Sequence, residues 1–109
     1  MDDQRPTWLQ ESCPAWCTRE HEEDDHPADR YHASEATFLP AIAATADTVP
    51  AASSADAVEL IIHIRRQLDD PTDWVTVEPA QTRLPRLTLT RESAARLVRA
   101  LAEQLDRDA

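Results

Sequence analysis

Glycine, lysine and asparagine are all missing from the 109-residue sequence. Without glycine the chain cannot build the glycine-rich loops that cradle phosphates, and its turns fall to Pro, Asp and Ser. Without lysine its eleven basic residues are all arginine, the bias of a GC-rich and so bacterial coding sequence, and they face 21 acidic residues for a net charge of -10. A field of that sign repels phosphate backbones and anionic lipid, so direct nucleic-acid binding and membrane-surface binding are not expected. No stretch of apolar residues is long enough to span a bilayer, and the opening Met-Asp-Asp-Gln-Arg lacks the basic and then apolar order of a secretory leader, which leaves a cytoplasmic protein as the expectation. Aromatics are also few, three Trp, one Tyr and one Phe. The core should be thin, and stability should draw on something besides apolar burial.

What the sequence does contain is concentrated near its start. Both cysteines and three of the four histidines, Cys13, Cys17, His21, His26 and His32, fall in one short stretch. In a reducing compartment a close cysteine pair points to metal or redox chemistry before a structural disulfide. Two thiolates and two imidazoles suffice for tetrahedral zinc, so Cys13, Cys17, His21 and His32 form a candidate Zn2+ site with the spacing C-x3-C-x3-H-x10-H, which is not that of an ordinary zinc finger. A short helix opened by Pro14 would put Cys17 and His21 on one face, with Cys13 reaching in from its non-helical cap. His32 returns through the turn that Pro27, Asp29 and Arg30 allow, and His26 is the reserve ligand. Asp24, Asp25 and Asp29 could orient the metal-bound histidines, and Trp16 would cover the metal. A local disulfide, a redox pair and an incidental cluster stand as alternatives. The C-x-x-C of a thioredoxin-type site and the four cysteines of an iron-sulfur site are absent.

The rest of the chain reads as one sheet and one helix in a single domain over residues 1–109, with residues 1–33 as the metal-binding segment and 34–109 as the body. Residues 1–11 read as loose, and the acidic run Glu20 to Asp25 as a solvated surface. Ala36 to Ala46 is apolar but holds Pro40, so a strand there would lie at an edge or start after the proline. Asp47 to Ala55 reads as a loop. Val58, Leu60, Ile62 and Ile64 alternate with Glu59, Ile61, His63 and Arg65, the period of a half-buried strand, with His63 on the solvated side. Asp69 to Thr72 is a turn, Trp74 to Glu78 a strand, Pro79 to Arg83 a connection, and Leu87 to Leu89 a last strand. Thr90 caps an amphipathic helix over 91–107 whose stripe includes Ala94, Leu97, Val98, Leu101 and Leu105. The connections are too short for parallel crossovers. The expected fold is therefore α+β: an antiparallel sheet of three to four strands covered by the C-terminal helix, with the metal segment at its N-terminal side.

Cys13-Pro14-Ala15-Trp16-Cys17, followed by His21, Asp29-Arg30 and His32 and closed by Leu87-Thr88-Leu89-Thr90 before an Ala- and Leu-rich helix, resembles a family of small uncharacterised actinobacterial proteins, a domain of unknown function. The resemblance implies that Cys13, Cys17, His21 and His32 form the characteristic site, and that His26 is a local addition. It implies no activity. The leading expectation is a zinc-binding accessory or protein-interaction module, monomer or homodimer, whose acidity suits a partner with a basic surface. An enzyme with an open zinc position and Glu22, Glu23 or Asp25 as base is a second expectation, although no H-E-x-x-H and no nucleophile elbow is present. An acidic mimic of nucleic acid is a third.

Overall fold

The computed structural model describes residues 5–44, 55–81 and 86–107. The chain is α+β, with a five-stranded antiparallel sheet and one C-terminal helix. Strands β1 (Tyr31–Ala33) and β2 (Thr37–Ala44) lie end to end along one side of the long β3 (Ala55–Gln67). On its other side follow β4 (Trp74–Pro79) and β5 (Leu87–Thr90), each antiparallel to its neighbour. Helix α1 (Arg91–Leu105) leaves directly from β5. Among the described residues no helix is long and apolar enough to cross a membrane.

β1 is the strand that the periodicity does not foresee. Its three residues are too few to show alternation, and they sit inside the polar segment. β1 and β2 form one edge broken by a bulge: Tyr31 stands opposite Gln67 but Thr37 opposite Ile62, a slip of one residue at positions 34–36. Ser34 secures the break. Its N–H donates to the Ile64 carbonyl at 2.9 Å, and its Oγ accepts the Ile64 N–H at 2.9 Å in place of a ladder carbonyl. Because side chains alternate, that one extra residue puts His32 on the same face as Leu39 and Ala41. Pro40 lies within β2, which pairs only with β3, so its missing N–H costs the sheet no second ladder.

β3 runs beyond the expected strand at both ends, and Ala55, expected in a loop, begins it. The remainder of that loop, 47–54, and residues 82–83 of the expected connection lie outside the described residues. One face of the sheet is continuously apolar: Leu60 faces Leu39 and Pro79, Ile62 faces Val77, Ile64 faces Val75, and Val75 and Val77 face Leu89 and Leu87. His63 lies on the other face, half-buried beside Thr76, with Nε2 3.8 Å from a Glu78 oxygen.

The helix does not cover the apolar face. Thr90 caps it as expected, accepting the Ser93 N–H, and the helix ends at Leu105 with Asp106 as its C-cap. No helical side chain is buried, and Leu105 at the far end is 84% exposed. The Arg91 N–H donates to the Asp73 carbonyl at 3.2 Å, and the Arg91 guanidinium reaches the Asp73 carboxylate at 3.0 Å, an ion pair that Arg66 joins from β3 at 3.3 Å. These bonds hold the first turn of the helix beside the start of β4.

Candidate metal centre

At the β1 end of the sheet the chain closes on itself. Residues 5–11, expected to be loose, are tied down. Pro6 and Leu9 are buried, the Trp8 indole N–H donates to the Glu22 carbonyl at 2.9 Å, and the Arg5 guanidinium donates to the Glu11 carbonyl at 2.7 Å. The acidic run is partly structural as well. The Glu23 carboxylate accepts the Thr7 N–H at 2.7 Å and the Thr7 hydroxyl at 2.6 Å, and these bonds hold its carboxyl below the usual range.

Cys13 and Cys17 flank one turn rather than a helix, closed by the Cys17 N–H on the Pro14 carbonyl at 3.0 Å. Thr18 then donates its N–H to the Ala33 carbonyl at 3.0 Å, which lays the turn against β1. His21 arrives from irregular chain and His32 from the middle of β1, opposite Arg66. One ligand atom from each of Cys13, Cys17, His21 and His32 lies within 4.8 Å of the others. The four are close enough to hold a metal ion. Cys17 Sγ and His21 Nε2 stand 3.7 Å apart. Zinc bonds of about 2.3 Å to sulfur and 2.1 Å to nitrogen in a tetrahedron separate such atoms by about 3.6 Å.

His32 is the most informative member. It is 0% exposed, and its Nε2 donates to Glu11 Oε2 at 2.6 Å, which leaves Nδ1 with a free lone pair. That Nδ1 is buried without a hydrogen-bond partner. An unpartnered buried imidazole nitrogen carries a desolvation penalty that a metal ion would remove. The other Glu11 oxygen accepts the Asp69 N–H at 3.4 Å, so one carboxylate links the cluster to the β3–β4 turn, where Asp69 has φ 63°. The bond from His32 is the main cause that draws the Glu11 carboxyl below the usual range.

Burial, and then the neighbouring His32 and Arg19, push the His21 imidazole below its ordinary value against the pull of Asp25, which favours the neutral form that ligates. The Cys13 thiol is raised because its sulfur loses hydration in the cluster and sits beside Cys17. A cation among the four would reverse that shift by stabilising the thiolates.

Several expectations change here. His26 does not join the cluster. It is exposed and caps the 3-10 turn Pro27–Asp29, its Nδ1 accepting the Ala28 N–H at 3.1 Å. Asp24, Asp25 and Asp29 orient no histidine: the Asp25 carboxylate accepts the Glu22 N–H, and Asp29 is engaged through its carbonyl by Arg19. Glu11 has the role assigned to them. Cover over the cluster comes from Trp8, edge-on to His21 with ring centroids 5.6 Å apart, and His21 is in turn edge-on to His32 at 5.5 Å. Trp16 lies half-buried under the Arg66 guanidinium instead. Trp8 and Glu11 precede the first cysteine closely, but neither has a spacing that marks its role, since each acts across the fold.

Fold and site together define a small α+β protein with a Cys2His2 cluster fastened to a sheet edge. The chain belongs to the family described as DUF6907, a domain of unknown function, whose pattern matches residues 1–107. No curated protein and no solved structure matches it.

Proposed function

We propose that the chain is a zinc-stabilised interaction module in which Cys13, Cys17, His21 and His32 bind one Zn2+ ion. The observation that supports this most directly is His32: fully buried, oriented by Glu11, with a free Nδ1 amid three other donors. Two thiolates neutralise the ion, and two neutral imidazoles complete a tetrahedron with no open position, so the metal is structural and not catalytic. Glu11 is held by His32 and Asp69 and is not a free base. Zinc would supply the stability that apolar burial does not, since Pro6 and Leu9 are the buried apolar side chains among the described residues. Structural zinc contributes on the order of ten kcal/mol to folding in small domains.

The module's role is to present its surfaces to a protein partner, and its acidity favours a basic surface on that partner. The test is elemental analysis of protein purified without a histidine tag, beside Cys17→Ser and His32→Ala. One zinc per chain, lost in both variants together with cooperative unfolding, is the expected result. No metal under reducing conditions, with both variants folding normally, would overturn the zinc reading.

A further inference from the structure

The apolar face of the sheet and the apolar stripe of α1 suit each other, yet within one chain they do not meet. Along the helix Ala94, Val98, Leu101 and Leu105 recur at spacings of four, three and four, the stripe of a helix seated on an apolar surface. Val98 is 65% exposed and Leu105 84%. On the sheet, Leu39 and Leu87 stand open on the same face as Leu60, Ile62 and Val77. The Asp73 bonds to Arg91 hold only the start of the helix, and no helical side chain is buried, so among the described residues the helix does not cover this face.

Leu39 and Leu87 on the sheet and Val98, Leu101 and Leu105 on the helix give each copy two open apolar surfaces, and a standard stable interface buries roughly 800 Å² of each partner. Charge indicates which partner. Between Asp56 and Arg66 on β3, and on the β4 and β5 residues paired with that stretch, no charged side chain stands on the apolar face. The described residues from 55 to 107 carry nine acidic side chains and seven arginines, against eight and three in residues 5–44. The acidity that would repel a second copy lies mainly at the metal end. Transient partners meet surfaces no more apolar than average, whereas a face of this kind is typical of homodimers.

We propose that two copies of the chain form a twofold dimer in which α1 of each lies on the apolar sheet face of the other. Each copy supplies one helix and one face, so the two contacts are equivalent and the assembly closes at two. The inference is independent of the metal reading.

The experiment is sedimentation equilibrium and light scattering on the full chain as purified, with Leu105→Glu, Leu39→Glu and, on the opposite sheet face, Ile42→Glu. All three positions are exposed in the single chain, so none of the substitutions should prevent its folding, which far-UV circular dichroism checks. A species of twice the 12.3 kDa chain mass is expected. Leu105→Glu and Leu39→Glu should each raise its dissociation constant about tenfold or more, and Ile42→Glu should not. A monomer at every concentration, a larger or open-ended assembly, or a dimer weakened by Ile42→Glu but not by the other two would overturn the proposal. Should Leu105→Glu lose helix content, Leu39→Glu against Ile42→Glu decides.

Discussion

β3 passes through two different environments. At its Arg65–Gln67 end it is flanked by β1 and overlaid by the N-terminal segment, where His32 is fully buried, Glu11 spans to Asp69, and Arg19 and Arg65 stack on Tyr31 at 4.2 and 4.1 Å. At its Ala55–Val58 end it pairs with β2 alone, and Ile42, opposite Ala57, is 75% exposed. The end with more side-chain bonds is the more polar one. Hydrogen bonds and a cluster of side chains close enough to hold a metal assemble it, whereas the other end has, among the described residues, only β2 beside it. Polar side chains can close a small structure when each donor has an acceptor and a metal ion takes up the remainder.

The largest effect expected on this contrast comes from chelation. Removing the metal from the reduced protein should free Trp8 from His21 and expose the segment from residue 5 to 30, with a loss of several kcal/mol and a fall in Tm of more than about 10 °C. The hairpin of β2 and β3 should change least. Tryptophan fluorescence and amide exchange during chelation check both halves. Equal loss of protection at the two ends would show that the metal end is not a separately stabilised region.

Glu11→Gln keeps the shape but removes the carboxylate that sets the His32 tautomer. Loss of such an outer partner typically weakens metal affinity by 10 to 100-fold. Competition with a chromophoric zinc chelator reads the change directly, and an unchanged affinity would mean that His32 needs no such orientation. The control is His63, whose Nε2 lies 3.8 Å from Glu78 on the sheet face opposite to that of His32. Glu78→Gln should leave metal affinity as it is.

Acid should act on the same end of the molecule. The His21 value is lowered in the folded chain, so the unfolded chain holds the extra proton and stability falls as pH drops below the ordinary histidine value. The Glu11 value is also lowered, so its contribution is present above the ordinary carboxylate value and lost as pH falls through the folded one. Both signs agree, and proton competition for the thiolates adds a third term in the same direction when metal is bound. Urea midpoints measured from neutral pH downward should therefore fall in two steps, the first through the histidine range. His21→Gln should remove that first step.

How much of this was legible in the sequence follows the range of the interactions. β3 and α1 show in periodicity, because alternation and helical spacing are local, and Thr90 shows as a cap because a cap acts within one turn. The four donors show as a cluster because thiols and imidazoles are rare and crowd one segment. β1 does not show, since three residues carry no period and the strand exists only through its pairing with β3. Glu11 on His32 and Arg91 on Asp73 do not show either: each joins residues far apart in the chain, and a carboxylate looks the same whether it is solvated or bonded. The path of the helix does not show for that reason. An amphipathic stripe says that something must be covered, and it leaves open whose surface covers it.

The smallest expected effect is also the sharpest on the choice of ligands. His26 and His32 are both histidines downstream of His21, and spacing alone admits either. In the structure His26 is exposed and its Nδ1 accepts the Ala28 N–H, which turns the chain at Pro27–Asp29 so that Tyr31–Ala33 can reach β3. His26→Ala removes that acceptor from a solvated turn, where water replaces it, so the stability cost should stay within about 0.5 kcal/mol and bound metal should be unchanged. His26→Asp should recover the cap, because a carboxylate is a better acceptor at a turn N-terminus. Metal content and urea midpoint of the two variants check this together. If His26→Ala lost the metal while His32→Ala kept it, the cluster would be assembled from the other histidine, and the bulge at Ser34 that brings His32 to the apolar face would have no bearing on the site.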